Sequence, residues 1–256
     1  VMEVVKPLEQ RGNYETSRRV LQIISQVFRY AVITGRAKHN VAADLRGALR
    51  PRKTVHRAAV LEPEKVGQLL RDIDAYEGYF PLVCALKLAP LVFTRPTELR
   101  AAQWKEFDLE SGEWRIPAER MKMRRQHLVP LSRQAMSILR ELQKYSGEGK
   151  FLFPSIRTEA RPISDATMLN ALRRMGYQKH EMSVHGFRSI ASTLLNELGY
   201  NRDWIERQLA HGEQDEVRAA YNYAEYLPER RKMMQAWADY LDGLRNIQQK
   251  RIREEA

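Results

Sequence analysis

The feature that most limits what this chain can fold into is its apolar periodicity, which is helical almost throughout. Val20, Ile23, Ile24, Val27, Phe28, Ala31 and Val32 recur at three- and four-residue intervals until Gly35, the spacing of one helix face. Val66, Leu69, Leu70 and Ile73 repeat the pattern, with Pro63 suited to that helix's first turn. Ser132 is placed to N-cap a helix carrying Ala135, Met136, Leu139 and Leu142. Ser164 and Gly176 bracket another helix, Asn201 and Gly212 a third, and Pro228 opens a last one with Met233, Met234, Trp237 and Leu241 on its apolar side. Strand signals are few: residues 114–117 and 127–131, joined by a polar connection, and a third stretch near 104–109 before the turn at Ser111-Gly112. The expected fold is mainly α with a small antiparallel β-sheet.

The most hydrophobic stretch, residues 81–93, is interrupted by Lys87 and is too short to span a bilayer. It holds Cys84, the one cysteine in the chain, so no disulfide forms within it, which fits a reducing compartment. A lone Cys in an apolar run is more often packing than a nucleophile. No signal peptide is visible, and the chain opens with Val1, so a fragment of something longer is expected. With 256 residues, 43% of them hydrophobic, one large domain, or one domain with part of another, is affordable. Lys and Arg number 43 against 32 Asp and Glu, a formal charge of +11. A chain this basic usually meets a polyanion, although a merely soluble basic surface gives the same count. Residues 51–58 stand apart as basic, aperiodic and proline-containing, and read as a linker between residues 1–50 and residues 59–256.

Five local patterns hold residues with chemistry to offer. Arg95 and Glu98 lie three apart at a helix start, where the arginine can fork onto a phosphate and the glutamate can orient it; a surface ion pair is the plain alternative. Lys122 lies in the connection between the strands, able to swing in and donate a proton, or simply one basic turn residue among Arg120, Arg124 and Arg125. His185-Gly186-Phe187-Arg188 puts an imidazole and a guanidinium one turn apart on one helix face. His211 follows Leu209-Ala210 near a helix C-terminus, where a cation is also just stabilising. Tyr221 and Tyr223 follow; a phenol with a pKa near ~10 is a poor nucleophile until cations stabilise its anion.

Singly, each pattern has an ordinary structural explanation. In order, Arg95, Lys122, His185, Arg188, His211 and Tyr221 resemble the six-residue active site of the tyrosine recombinases, over about residues 61–241. The wording of residues 91–100 and 218–222 is most similar to prophage and genomic-island integrases. Residues 15–44 resemble the last helices of that family's core DNA-binding domain, so residues 1–50 are expected to be its C-terminal part and 59–256 the catalytic domain. Its first half and an arm-binding domain would precede them. Phe93 and Thr94 stand where many recombinases have glycine, and the interval from His211 to Tyr221 is one residue longer than is commonest; the island integrases resemble this chain in both.

The resemblance implies a recombinase that cuts and rejoins DNA through a 3′-phosphotyrosine bond to integrate or excise a prophage or genomic island. Tyr221 would attack, Arg95, Arg188 and His211 would hold the phosphate, His185 would assist proton removal and Lys122 would protonate the departing 5′ oxygen. Arg50, Arg52, Lys53, Arg57, Arg124 and Arg125 would contact DNA phosphates. The same family implies a homotetramer on double-stranded DNA, accessory DNA-bending and directionality proteins, and the bacterial cytoplasm, at the nucleoid. The cationic residues lack the carboxylate cluster of a two-metal nuclease, so no metal and no cofactor is expected. The rivals are a type IB topoisomerase-like strand transferase and a catalytically silent DNA-binding homologue. The stripe of Trp237, Tyr240, Leu241 and Leu244 suits docking on a neighbouring subunit or on its own domain.

Overall fold

The computed structural model describes residues 1–45, 47–50, 58–210 and 226–254. Backbone contacts divide the chain into two units, Val1–His56 and Arg57–Ala256.

In the first unit α1 (Met2–Gln10) packs on α2 (Tyr14–Ile33). Val5, Leu21, Ala42 and Leu49 form its small core, and Asn40 Nδ2 ties the following turn to Ser25 Oγ at 2.9 Å. The α2 helix is where periodicity placed it, but its buried side is Ser17, Leu21 and Ser25. Ile23 and Val27 are exposed, while Val20 and Ile24 pack on the small core beside Leu21.

The second unit surrounds one apolar helix. Helices α3 (Pro63–Ala75), α4 (Phe80–Val92) and α5 (Pro96–Arg100) lead into three antiparallel strands, β1 (Phe107–Asp108), β2 (Glu113–Ile116) and β3 (His127–Pro130). Register pairs Trp114 with Phe107 and Val129, and Ile116 with His127. Then come α6 (Arg133–Ser146), a hairpin of β4 (Pro154–Ser155) and β5 (Thr158–Pro162), α7 (Asp165–Arg174), α8 (Gly186–Glu197), α9 (Arg202–Gln208) and α10 (Leu227–Glu254). The 81–93 run is mostly α4, which lies against α3, α6, α7, α8 and α10. A helix apolar all round must be covered on every side, and this one shows no helical stripe in sequence for that reason.

Ser132 caps α6 by accepting from the Ala135 N–H at 3.3 Å. The third strand is shorter than expected: Trp104–Glu106 form a 3-10 turn and Phe107–Asp108 alone pair. The β4–β5 hairpin had no sequence forecast. The α10 stripe of Trp237, Leu241 and Leu244 is buried within the unit, with Trp237 Nε1 donating to Pro90 O at 2.9 Å. Gly67 makes this packing possible, since a Cβ there would stand 2.5 Å from Leu244 O. No helix among the described residues is long and apolar enough to cross a membrane.

Candidate active site

The site begins where α4 ends. Phe93 caps the helix in the left-handed region, φ 35°, a conformation that costs an L-residue about 1–2 kcal/mol. Its ring is fully buried, edge-on to Trp237 at 6.3 Å between centroids. Burying such a side chain contributes about 1.5–3 kcal/mol, so packing offsets the backbone strain. The reversed chain direction delivers Arg95 as the extended N-cap of α5, with Pro96 in the first helical position. Glu98, 2% exposed, accepts twice from Arg95: the backbone N–H on Oε2 at 2.9 Å and Nη1 on Oε1 at 2.7 Å. One carboxylate therefore caps the helix and aims the guanidinium.

Arg188 approaches from α8. Gly186 lets this helix start close to a neighbouring segment, since a Cβ would stand 2.8 Å from both Ala58 O and Met182 Sδ. His185, partly buried, is the N-cap. One turn on, Arg188 is 4% exposed. It donates from Nη1 to Phe93 O at 2.8 Å and from Nη2 to Leu209 O at 2.6 Å.

The end of α9 draws these groups together. The last carbonyls of a helix lack intrahelical partners. Here Gln208 O accepts from His127 Nε2 at 3.1 Å, Leu209 O from Arg188, and Ala210 O from Arg95 Nη2 at 3.0 Å. Ala210 is itself left-handed, φ 49°, a strained position that persists where its surroundings over-determine it. Two guanidinium groups from α5 and α8 thus hold consecutive carbonyls. Burial, and after it the Arg95 charge, draw Arg188 down to about 10, so it stays cationic at neutral pH. A pair of like charges held side by side is prepared for an oxyanion.

Lys122 is exposed in the β2–β3 connection, and that connection is anchored beside α5. Arg120 pairs with Glu106 and donates from Nη2 to Glu98 O at 2.5 Å. Trp114 Nε1 also donates to Glu106 Oε2, at 3.0 Å. Lys122 is therefore tethered two residues from a contact with the helix that presents Arg95. Arg124 and Arg125 are exposed in the same turn.

The structure so brings together Arg95, Glu98 and Arg188, with His185 at the start of the Arg188 helix. Arg50 is exposed in the first unit, its backbone N–H on Glu9 Oε1 at 2.7 Å. His211 and Tyr221, with Arg52, Lys53 and Arg57, lie outside the described residues. Sequence reasoning passed over Glu106, Arg120, His127, Gln208 and Arg230. For His127 a signal existed, since it shares the inward phase of its strand with Val129; nothing in sequence separates Arg120 from its basic neighbours.

Comparison with known proteins gives this arrangement a context. The profile described as phage integrase family matches residues 59–227, and that of the phage integrase central domain matches residues 1–48. The integrase of Enterobacteria phage P4 is 42% identical over 257 residues, covering 94% of this chain and 58% of that protein. Prophage integrase IntA of Escherichia coli (strain K12) is 40% identical over 240 residues, covering 93% and 57%. The chain thus spans somewhat over half the length of these curated relatives. Among solved structures, a lambda integrase (75–356) dimer bound to a COC′ core site superposes with a TM-score of 0.63 at 18% identity, covering 82% of this chain and 76% of that one. The Tn1549 transposon integrase in complex with transposon right end DNA gives 0.64 at 13% identity, covering 90% and 82%. The mainly helical fold with small antiparallel sheets is the one those integrases share, and with the sequence match it leads to one conclusion: this chain belongs to the phage integrase family.

Proposed function

We propose that the chain is the strand-cleaving part of a site-specific recombinase, which integrates or excises a prophage or genomic island through a 3′-phosphotyrosine intermediate. The observation that supports this best is the convergence of Arg95 and Arg188 on the carbonyls of Ala210 and Leu209, directly before His211 in the chain. Tyr221 Oη attacks the scissile phosphorus and the bond from phosphorus to the 5′ oxygen breaks. Arg95, Arg188 and His211 stabilise the charge that grows on the non-bridging oxygens. His185 assists removal of the tyrosine proton, and Lys122 supplies a proton to the departing oxygen. A 5′ hydroxyl from a second strand then attacks the phosphotyrosine and reverses the step. Bond energy is conserved in the ester, so no nucleotide is consumed.

In this reading residues 1–50 are part of a core DNA-binding domain, 51–58 a basic linker along phosphates and 59–256 the catalytic domain. The partners are double-stranded attachment-site DNA and further copies of the chain, four on two duplexes, with accessory bending and directionality proteins, in the bacterial cytoplasm. The test is covalent trapping on a nicked attachment-site duplex, with and without excess chelator. An adduct of equal yield in both arms is expected, because the groups assigned to the phosphate are cations and donors. No adduct would overturn the reading, and loss restored by added magnesium would overturn the metal-free step.

A further inference from the structure

The carbonyl run that holds Arg188 and Arg95 has a third tie, which leads into a buried polar node. His127, the first residue of β3 and 6% exposed, donates Nε2–H to Gln208 O at 3.1 Å. Gln208, wholly buried, accepts on Oε1 from Arg230 Nη2 at 2.5 Å, and that same nitrogen reaches Leu128 O at 2.6 Å. Arg230 is 2% exposed and sits in the first turn of α10. The node therefore joins β3, the end of α9 and the start of α10.

It is an expensive way to join them. Among the described residues the hydrogen-bond partners of Arg230 are neutral oxygens, and Arg230 Nε and Gln208 Nε2 are buried with no hydrogen bond to them. Burying a guanidinium with no carboxylate costs several kcal/mol by general estimates, roughly, and apolar packing of similar volume is commonly neutral or stabilising by comparison. What the node supplies instead is direction. Its bond to Gln208 O is the first of the three consecutive carbonyl bonds that end with Arg188 and Arg95. In sequence, Gln208 and Arg230 also bracket the stretch that contains His211 and Tyr221.

We propose that His127, Gln208 and Arg230 are positioning residues for strand cleavage. They touch no reacting atom; they fix the α9 terminus against which Arg95 and Arg188 are set, and they tie it to the first turn of α10. This rests on the cleavage reading above.

The test uses the full chain on the nicked duplex and compares His127→Leu, His127→Gln and Arg230→Met with the parent. Melting temperature, DNA affinity and the rate of adduct formation are measured for each. His127→Leu and Arg230→Met should bind DNA within about twofold of the parent and melt no lower, yet form adduct about ten- to a hundredfold more slowly, the range expected for a displaced catalytic group. His127→Gln, which keeps a donor, should recover most of that rate. Leu and Met variants that cleave at the parent's rate would overturn the proposal. So would losses that only follow melting temperature or affinity, or a Gln variant no better than Leu. The two substitutions enter from different elements, so failure of one to fold leaves the other to decide. A parent that forms no adduct would defeat the cleavage reading itself, and this proposal with it.

Discussion

Phe93 shows how a single residue can carry two roles that pull against each other. Glycine would adopt its left-handed backbone at less cost, but would remove the ring that fills the space beside Trp237. The Phe93 carbonyl is one of the two that hold Arg188, so core packing and the aim of an arginine of the candidate site meet in one residue. His127 is the second such position. Burial, then the Arg230 and Arg207 charges, hold its imidazole well below the ordinary value. An unfolded histidine titrates near ~6.5. Below that pH the unfolded chain takes up a proton that the folded chain refuses. The contribution is therefore complete above about pH 6.5 and drains as pH falls toward the depressed folded value, with a slope reaching about 1.4 kcal/mol per pH unit. Between about pH 7.5 and about pH 5 the melting temperature of the parent should fall further than that of His127→Leu, so the gap in the variant's favour widens; curves that stay parallel would show that His127 takes its proton equally in both states. Sequence order groups Arg95, His185 and Arg188, and the structure sets Arg95 and Arg188 on consecutive carbonyls. His127 could not be grouped with them in the same way, because a histidine inside a strand pattern looks the same whether it packs or positions.

At the scale of elements, amphipathic helices were the legible part. Val66, Leu69, Leu70 and Ile73 face the core of α3 as their spacing predicts, and Met233, Met234, Trp237 and Leu241 do so in α10. The apolar set read on α2 is only partly the buried one: Val20 and Ile24 pack on the small core beside Leu21, while Ile23 and Val27 are exposed. The β4–β5 hairpin escaped because Thr158, Glu159, Ala160 and Arg161 are all exposed, so no alternation marks it. The basic segment at residues 50–57 is an element whose role a titration can decide. Each phosphate contact adds roughly 0.9 to the slope of log affinity against log salt. Replacing Arg50, Arg52, Lys53 and Arg57 with glutamine should flatten the slope for duplex DNA by a unit or more, on the order of one phosphate contact at the least. An unchanged slope would leave the segment as a connector only.

For the whole molecule, the fold's achievement is to bring residues far apart in sequence to one short stretch of backbone. Arg95 reaches Ala210 across 115 positions and Arg188 reaches Phe93 across 95, and these long links are what sequence order alone implies but cannot place. The central claim is that this assembly serves a tyrosine nucleophile, and that the nucleophile is Tyr221. Tyr223 lies two residues further on, and Tyr226 stands at the entrance to α10 with a left-handed backbone, φ 60°. The most direct measurement is peptide mapping of the residue linked to DNA after trapping on a nicked duplex, run on the parent, Tyr221→Phe and Tyr223→Phe. The parent and Tyr223→Phe should carry the DNA on Tyr221, while Tyr221→Phe should bind the duplex and form no adduct, because the attacking oxygen is gone. An adduct mapped to Tyr223 or Tyr226, or one that survives Tyr221→Phe, would contradict the account.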